Sequence, residues 1–186
     1  MDLVTLAMSA VKKYIKEGKI ISPSDELSQE FLNKKAGTFV TLEKNGKLRG
    51  CIGTYLPIKE SIAEEVISNA ITAATKDYRF GPVSEEELPT LSCNVYILSE
   101  PELVKDIKEL DPKEYGVIVR TTPIEYKDGA DVLFNGHLPS KSGLLLPGLE
   151  DVDTIEKQIM IACQKGGINP REEKIIIYRF AVEKHQ

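Results

Sequence analysis

The 186 residues carry a formal charge of −5, with 41% hydrophobic and 28% charged side chains, a balance that folds around its own core and excludes a disordered chain. An acidic chain with no run of five or six Lys/Arg is repelled on average by duplex nucleic acid and anionic lipid. Three scattered cysteines (Cys51, Cys93, Cys163), no C-x-x-C and only His137 and His185 exclude a disulfide framework and leave a structural zinc short of ligands.

The first element is an amphipathic helix. Leu3, Leu6, Ala7, Ala10, Val11, Tyr14 and Ile15 recur at helical spacing, Asp2 can cap the start and Gly18 can end it. The start Met1-Asp2-Leu3-Val4-Thr5 lacks the basic, apolar character of a signal peptide, and no apolar run approaches a bilayer's width, so the expected compartment is the cytoplasm. After Ser22-Pro23-Ser24 a short helix is expected over residues 26–34.

Residues 38–43 read as a strand, Asn45-Gly46 as a tight hairpin turn, and residues 47–54 as the return strand. A long helix follows Pro57, roughly 58–76, with Ile62, Val66, Ala70, Ala73 and Ala74 as its apolar stripe. Asp77-Tyr78-Arg79-Phe80-Gly81-Pro82 is a loop, and Ser84-Glu85-Glu86-Glu87 is a capping box for a short helix. Residues 91–98 alternate as a strand, 111–115 form one helical turn, and 116–121 are a strand. A second hairpin is expected near 127–134, a short buried strand at 143–147, a helix from Asp151 or Asp153 to about Gln164, and a last strand over 174–183. Hairpins mixed with helices, without a βαβ rhythm or a G-x-G-x-x-G, give an α+β fold and no dinucleotide site.

An ideal two-residue turn at Asn45-Gly46 would set Leu42 opposite Arg49, Val40 opposite Cys51 and Thr38 opposite Gly53. Alternation then places Arg49, Cys51 and Gly53 on one face, with the guanidinium about 7 Å along the strand from the thiol. A nearby cation favours a thiolate, and glycines in a strand mark a bulge or a close approach. Against this stands the ordinary behaviour of free cysteine as a small buried hydrophobe.

Phe39-Val40-Thr41-Leu42, Asn45-Gly46 and Leu48-Arg49-Gly50-Cys51-Ile52-Gly53 resemble the signature of the AMMECR domain family. Asp77-Tyr78-Arg79-Phe80 with Pro82-Val83, Glu87-Leu88-Pro89, Leu98-Ser99 with Pro101, Gly116-Val117-Ile118-Val119, Gly143-Leu144-Leu145-Leu146-Pro147 and Tyr178-Arg179-Phe180 resemble further family elements in the same order. The resemblance spans about 27–182. It implies a mixed fold of two unequal lobes around mainly antiparallel sheet flanked by helices, in one domain over 1–186; this sequence departs from the family at residues 122–142, which are longer than the usual link and leave room for a small side lobe about 116–147. It assigns no reaction and no cofactor. It implies, as partners, a Memo-type protein and a radical S-adenosylmethionine enzyme, and it marks residues 48–53 as the site.

The candidates are therefore Cys51 and Arg49 for chemistry, Gly50, Gly53, Asp77 and Arg79 for binding, and no metal ligands. Arg79 could join Arg49 in an anion-binding corner, or satisfy the end of the preceding helix with Phe80 in the core. His137 could serve Cys51 as a base only if the fold brought it near. Glu64-Glu65 and Glu85-Glu86-Glu87 read as helix-end and solvated carboxylates, and Cys93 and Cys163 as core. Two activities stand side by side: a binding or accessory module acting through residues 48–53, and an enzyme in which Cys51 is the nucleophile or substrate-contacting thiol and Arg49 holds an anion. Nucleic-acid binding is disfavoured by charge.

Overall fold

The computed structural model describes residues 1–121 and 141–186. Its fold is α+β, with helices on two antiparallel sheets, and it forms two compact units: residues 1–99 with 183–186, and residues 100–182.

In the first unit, α1 (Leu3–Glu17) starts where the Asp2 carboxylate accepts the Thr5 N–H and stops at Gly18, whose φ of 67° suits glycine. A short helix, α2 (Gln29–Asn33), follows, then the hairpin of β1 (Thr38–Lys44) and β2 (Lys47–Thr54). α3 (Ile62–Thr75) is capped by Ser61, whose hydroxyl accepts the Glu64 N–H. A 3-10 turn at Glu85–Thr90 leads into β3 (Leu91–Leu98). The sheet order is β2-β1-β3, completed by β8 (Val182–His185). One sheet face carries Val40, Leu42, Cys93 and Val95, and the apolar stripes of α1 and α3 pack with these residues in a single core. Burial of those stripes is what holds the helices in place.

The second unit has sheet order β4-β7-β5-β6, from β4 (Glu102–Leu103), β5 (Gly116–Thr121), β6 (Ser142–Leu145) and β7 (Ile175–Phe180). α4 (Ile155–Lys165) contributes Ala162 and Cys163 to a core with Val117, Val119 and Leu145. Gly143 and Gly166 let β6 and the end of α4 touch backbone to backbone, since a Cβ at Gly143 would lie on the Ala162 carbonyl.

One departure from expectation concerns the last strand. Residues 174–183 are two strands, broken at Ala181, and β7 and β8 belong to different sheets. The hairpin expected at 127–134 and His137 lie outside the described residues. Among the described residues no helix is long and apolar enough to cross a membrane.

Candidate functional site

The hairpin turns at Asn45 and Gly46, whose φ values of 52° and 75° are those of a tight mirror-image turn. The register then departs from the ideal ladder. Glu43 pairs with Leu48 but Leu42 pairs with Gly50, so Arg49 is the extra residue of a bulge. Cys51 consequently stands opposite Thr41, and Gly53 opposite Phe39, one place off the simple expectation. The cause is packing. The shift puts Gly50 and Ile52 beside Leu42 and Val40 on the core face. Gly50 is required there, because a Cβ would sit 2.3 Å from the Ala73 carbonyl oxygen of α3.

That close approach brings the end of α3 to β2, the sheet's edge strand. The loop after α3 then lies along the free edge. Asp77, only 3% exposed, accepts the Cys51 N–H at 2.8 Å. The same carboxylate takes the Arg79 N–H at 3.1 Å and the Arg79 guanidinium at 3.0 and 2.7 Å. Arg79 also donates to the Cys51 carbonyl at 3.4 Å. Arg79 beside it, with the Cys51 and Arg79 amides, holds the Asp77 carboxyl down to about 2, against the opposing effect of burial. Both edge-facing groups of Cys51 are thus met by this loop. Thr41 and Cys51 are accordingly a non-hydrogen-bonded pair, the closer kind, and the Thr41 hydroxyl donates to Cys51 Sγ at 3.2 Å.

Arg49 reaches across the bulge to the segment after the loop. Its Nε and Nη2 bind both oxygens of Glu87 at 2.9 and 3.0 Å, and its Nη1 and Nη2 donate to the Gly81 and Pro82 carbonyls at 2.9 and 3.2 Å. Glu87 also takes Lys44 Nζ and the Ser84 N–H, both at 3.0 Å. Its carboxyl is held well below the usual range, chiefly by Arg49. The Arg49 guanidinium is therefore spent on protein groups, and the side chain that meets the Cys51 sulfur is Thr41. Phe80 is half-buried rather than a core plug. Its ring lies 5.9 Å from the Arg49 guanidinium and 5.5 Å from that of Arg79. Between Asp77 and Arg79, Tyr78 is 94% exposed.

On the sheet face away from the helices, Cys51, Thr41 and Asn94 form a row across three strands. Asn94 donates to Glu43 at 3.2 Å, and Tyr96 stands opposite Phe39. Burial, then the charges of Cys51 and Glu43, raise the Tyr96 phenol. Beneath the other end of β2, the buried Glu65 takes the Thr54 hydroxyl and the Ile58 and Lys59 N–H groups, while buried Asn69 donates to Thr38. This polar clasp fixes the exit of β2.

Of the three cysteines only Cys51 is partly exposed. Burial pushes the Cys93 thiol up to about 12 and raises Cys163, as core positions require. Among the described residues no three His, Cys, Asp or Glu converge as a metal site. The structure brings Arg49, Gly50, Cys51, Asp77 and Arg79 into one neighbourhood, and Gly53 lies under the Phe39 ring. Thr41, Asn94 and Tyr96 are not among the candidate residues of the sequence reading. Glu87 was legible as a capping residue but not as the partner of an arginine 38 positions away.

The AMMECR1 family profile matches residues 4–185. A Thermotoga maritima protein is 46% identical over 98% of this chain and 96% of its own length. A Clostridium acetobutylicum protein is 41% identical over 98% of this chain but only 35% of its own length. The crystal structure of uncharacterized protein PH0010 from Pyrococcus horikoshii superposes with a TM-score of 0.81 at 32% identity, covering 98% of this chain and 88% of that one. A profile spanning nearly the whole chain, relatives over its full length and a shared three-dimensional fold lead to one conclusion: this chain belongs to the AMMECR1 family.

Proposed function

We propose that the protein is a binding or accessory module that docks a partner through the edge of β2 and the loop laid on it, residues 48–53 and 77–80. The observation that carries this reading is Tyr78, 94% exposed on a turn whose two flanking residues are pinned. Tyrosine and arginine are the side chains that most often anchor interfaces, and a pre-ordered turn loses little entropy on binding. Leu48, 45% exposed at the near end of the strand, adds an apolar contact. In this reading Arg49 and Asp77 are positioning residues, and Gly50 and Gly53 permit the close packing that shapes the surface. The family resemblance suggests a Memo-type protein and a radical S-adenosylmethionine enzyme as partners. The Clostridium acetobutylicum relative, which holds a domain like this one in a chain nearly three times as long, fits a module that works beside other domains. The test is binding to those two candidate partners by calorimetry. Tyr78→Ala and Arg79→Ala should each weaken it by tenfold or more, and Cys51→Ser should leave it unchanged. Equal affinity for wild type and Tyr78→Ala would remove the proposal.

The hydroxyl-to-sulfur contact from Thr41 favours a second reading, an enzyme with Cys51 as nucleophile or substrate-contacting thiol. It requires Cys51 to alkylate much faster than Cys93 and Cys163 in the native protein, and Thr41→Val to slow it. Equal rates at the three cysteines would end this reading.

A further inference from the structure

The first unit also carries a surface groove of about 410 Å³ on the side of α3 turned away from the sheet. Tyr14, Ile21, Ile67 and Ile71 give it apolar lining, and Ser68 and Thr72 of α3 add hydroxyls. That volume lies within the range of ordinary ligand sites. Three features bear on what fills it. Ile20, at the rim, is 70% exposed, so apolar surface continues from the groove out into solvent. The backbone of residues 19–23 runs without regular secondary structure and finds no hydrogen-bond partner among the described residues. The rim charges are Lys59, Lys76 and Glu64. The ammonium groups of Lys59 and Lys76 have no ion-pair partner among the described residues, while Glu64 accepts the Glu60 N–H at 3.2 Å. The groove is thus net positive on a chain whose total is −5, and Glu64 offsets the charge only at the Lys59 end.

We propose that this groove binds an extended peptide segment of a partner protein, apolar at alternate positions and acidic at the end that lies over Lys76. The unpaired backbone of residues 19–23 supplies main-chain hydrogen bonds, as strand-like peptide recognition requires. Ile67, Ile71 and the Tyr14 ring receive the inward side chains, and Lys76 receives the carboxylate. α3 has 14 residues, about 20 Å of helix, so the trough beside it matches about six extended residues at roughly 3.3 Å each. The groove shares no lining residue with the Cys51 edge, which it approaches only at Lys76 next to Asp77, and it does not depend on the function proposed for that edge.

The test uses the full chain. Random peptides of about twelve residues, displayed on phage, are panned against it at physiological ionic strength, and enriched sequences are synthesised and titrated. Enrichment of alternating apolar peptides with an acidic end is expected, with amide shifts at residues 20–23 and 67–76 on binding. Ile20→Asp and Lys76→Glu, both at exposed positions, should each weaken the selected peptide by about tenfold or more, with unchanged thermal unfolding as the folding control. Failure to enrich any peptide, enrichment of basic ones, or undiminished binding by either variant overturns the proposal. So does decanoate producing the same shifts and displacing the peptide, which would make the groove a site for small amphiphiles.

Discussion

Asp77→Asn isolates the contact that lays the loop along β2. The aspartate receives four N–H groups, one from Cys51 and three from Arg79. Asparagine has the same shape but only one accepting oxygen. Whichever way the amide turns, an NH₂ faces a donor, at the Cys51 amide or at the guanidinium. Losing charge-assisted bonds and leaving a donor unmet in a site only 3% exposed costs about 2–4 kcal/mol. For a chain of this size that lowers Tm by roughly 5–15 °C. The pH dependence follows from the carboxyl being held at about 2 instead of 3.8. A depressed folded-state value stabilises above the unfolded value, and the gain is lost as pH falls from about 4 to about 2. It amounts to at most about 2.5 kcal/mol, trimmed to about 1 because the Arg79 side chain is 43% exposed to screening solvent. Urea unfolding of both proteins from pH 7 down to pH 2, with hydrogen exchange at the Cys51 amide, measures this. Asp77→Asn should be less stable at pH 7, lack that part of the acid loss, and exchange the Cys51 amide faster. Equal stability at pH 7, with unchanged protection of that amide, would refute the anchoring role.

Glu87→Gln should cost about 2–3 kcal/mol, since it strands the Arg49 side chain, 15% exposed, beside a neutral amide. A double-mutant cycle with Arg49→Met should return a coupling above about 1 kcal/mol; additive effects would mean that the pair is incidental. Gly50→Ala should destabilise by about 3 kcal/mol or more, because the new methyl meets backbone of α3 at 2.3 Å. Gly81→Ala, with open space around it, should stay within about 0.5 kcal/mol, and urea midpoints of the two variants give the comparison.

The sequence made visible what depends on local chemistry. The Asn45-Gly46 turn needs two residues at positive φ, and the caps at Asp2 and Gly18 announce themselves by residue type. The bulge at Arg49 was hidden because it is decided by α3: only when Ala73 presses on Gly50 does the one-place slip become the better ladder. The strand break at Ala181 was hidden for a related reason. The stretch from Ile175 to Val182, apolar but for Tyr178 and Arg179, contains no Gly, Pro, Asn or Asp to mark a turn, and its change of sheet is a property of topology. The Arg49–Glu87 pair joins residues whose separation in sequence carries no periodic signal. Arg49, Cys51, Asp77 and Arg79 were therefore readable one by one, while Thr41 and the way these residues hold each other were not.

That mutual hold limits how the β2 edge can be used. An open edge strand recruits partners by strand addition. At Cys51 this route is closed, because its N–H is bound to Asp77 and its carbonyl to Arg79. Displacing them would expose a carboxylate held at about 2 and break its bonds to Arg79 as well. Under the proposed docking function, recognition runs through side chains standing above the occupied edge, with Tyr78 foremost. In that proposal the charged loop has two tasks with one set of contacts: it occupies the edge at Cys51, and it holds Tyr78 out in solvent as the anchor. A Tyr78→Ala variant that loses partner binding while keeping the Cys51 amide protected from exchange would separate the second task from the first. Loss of both together would tie recognition to the strand itself.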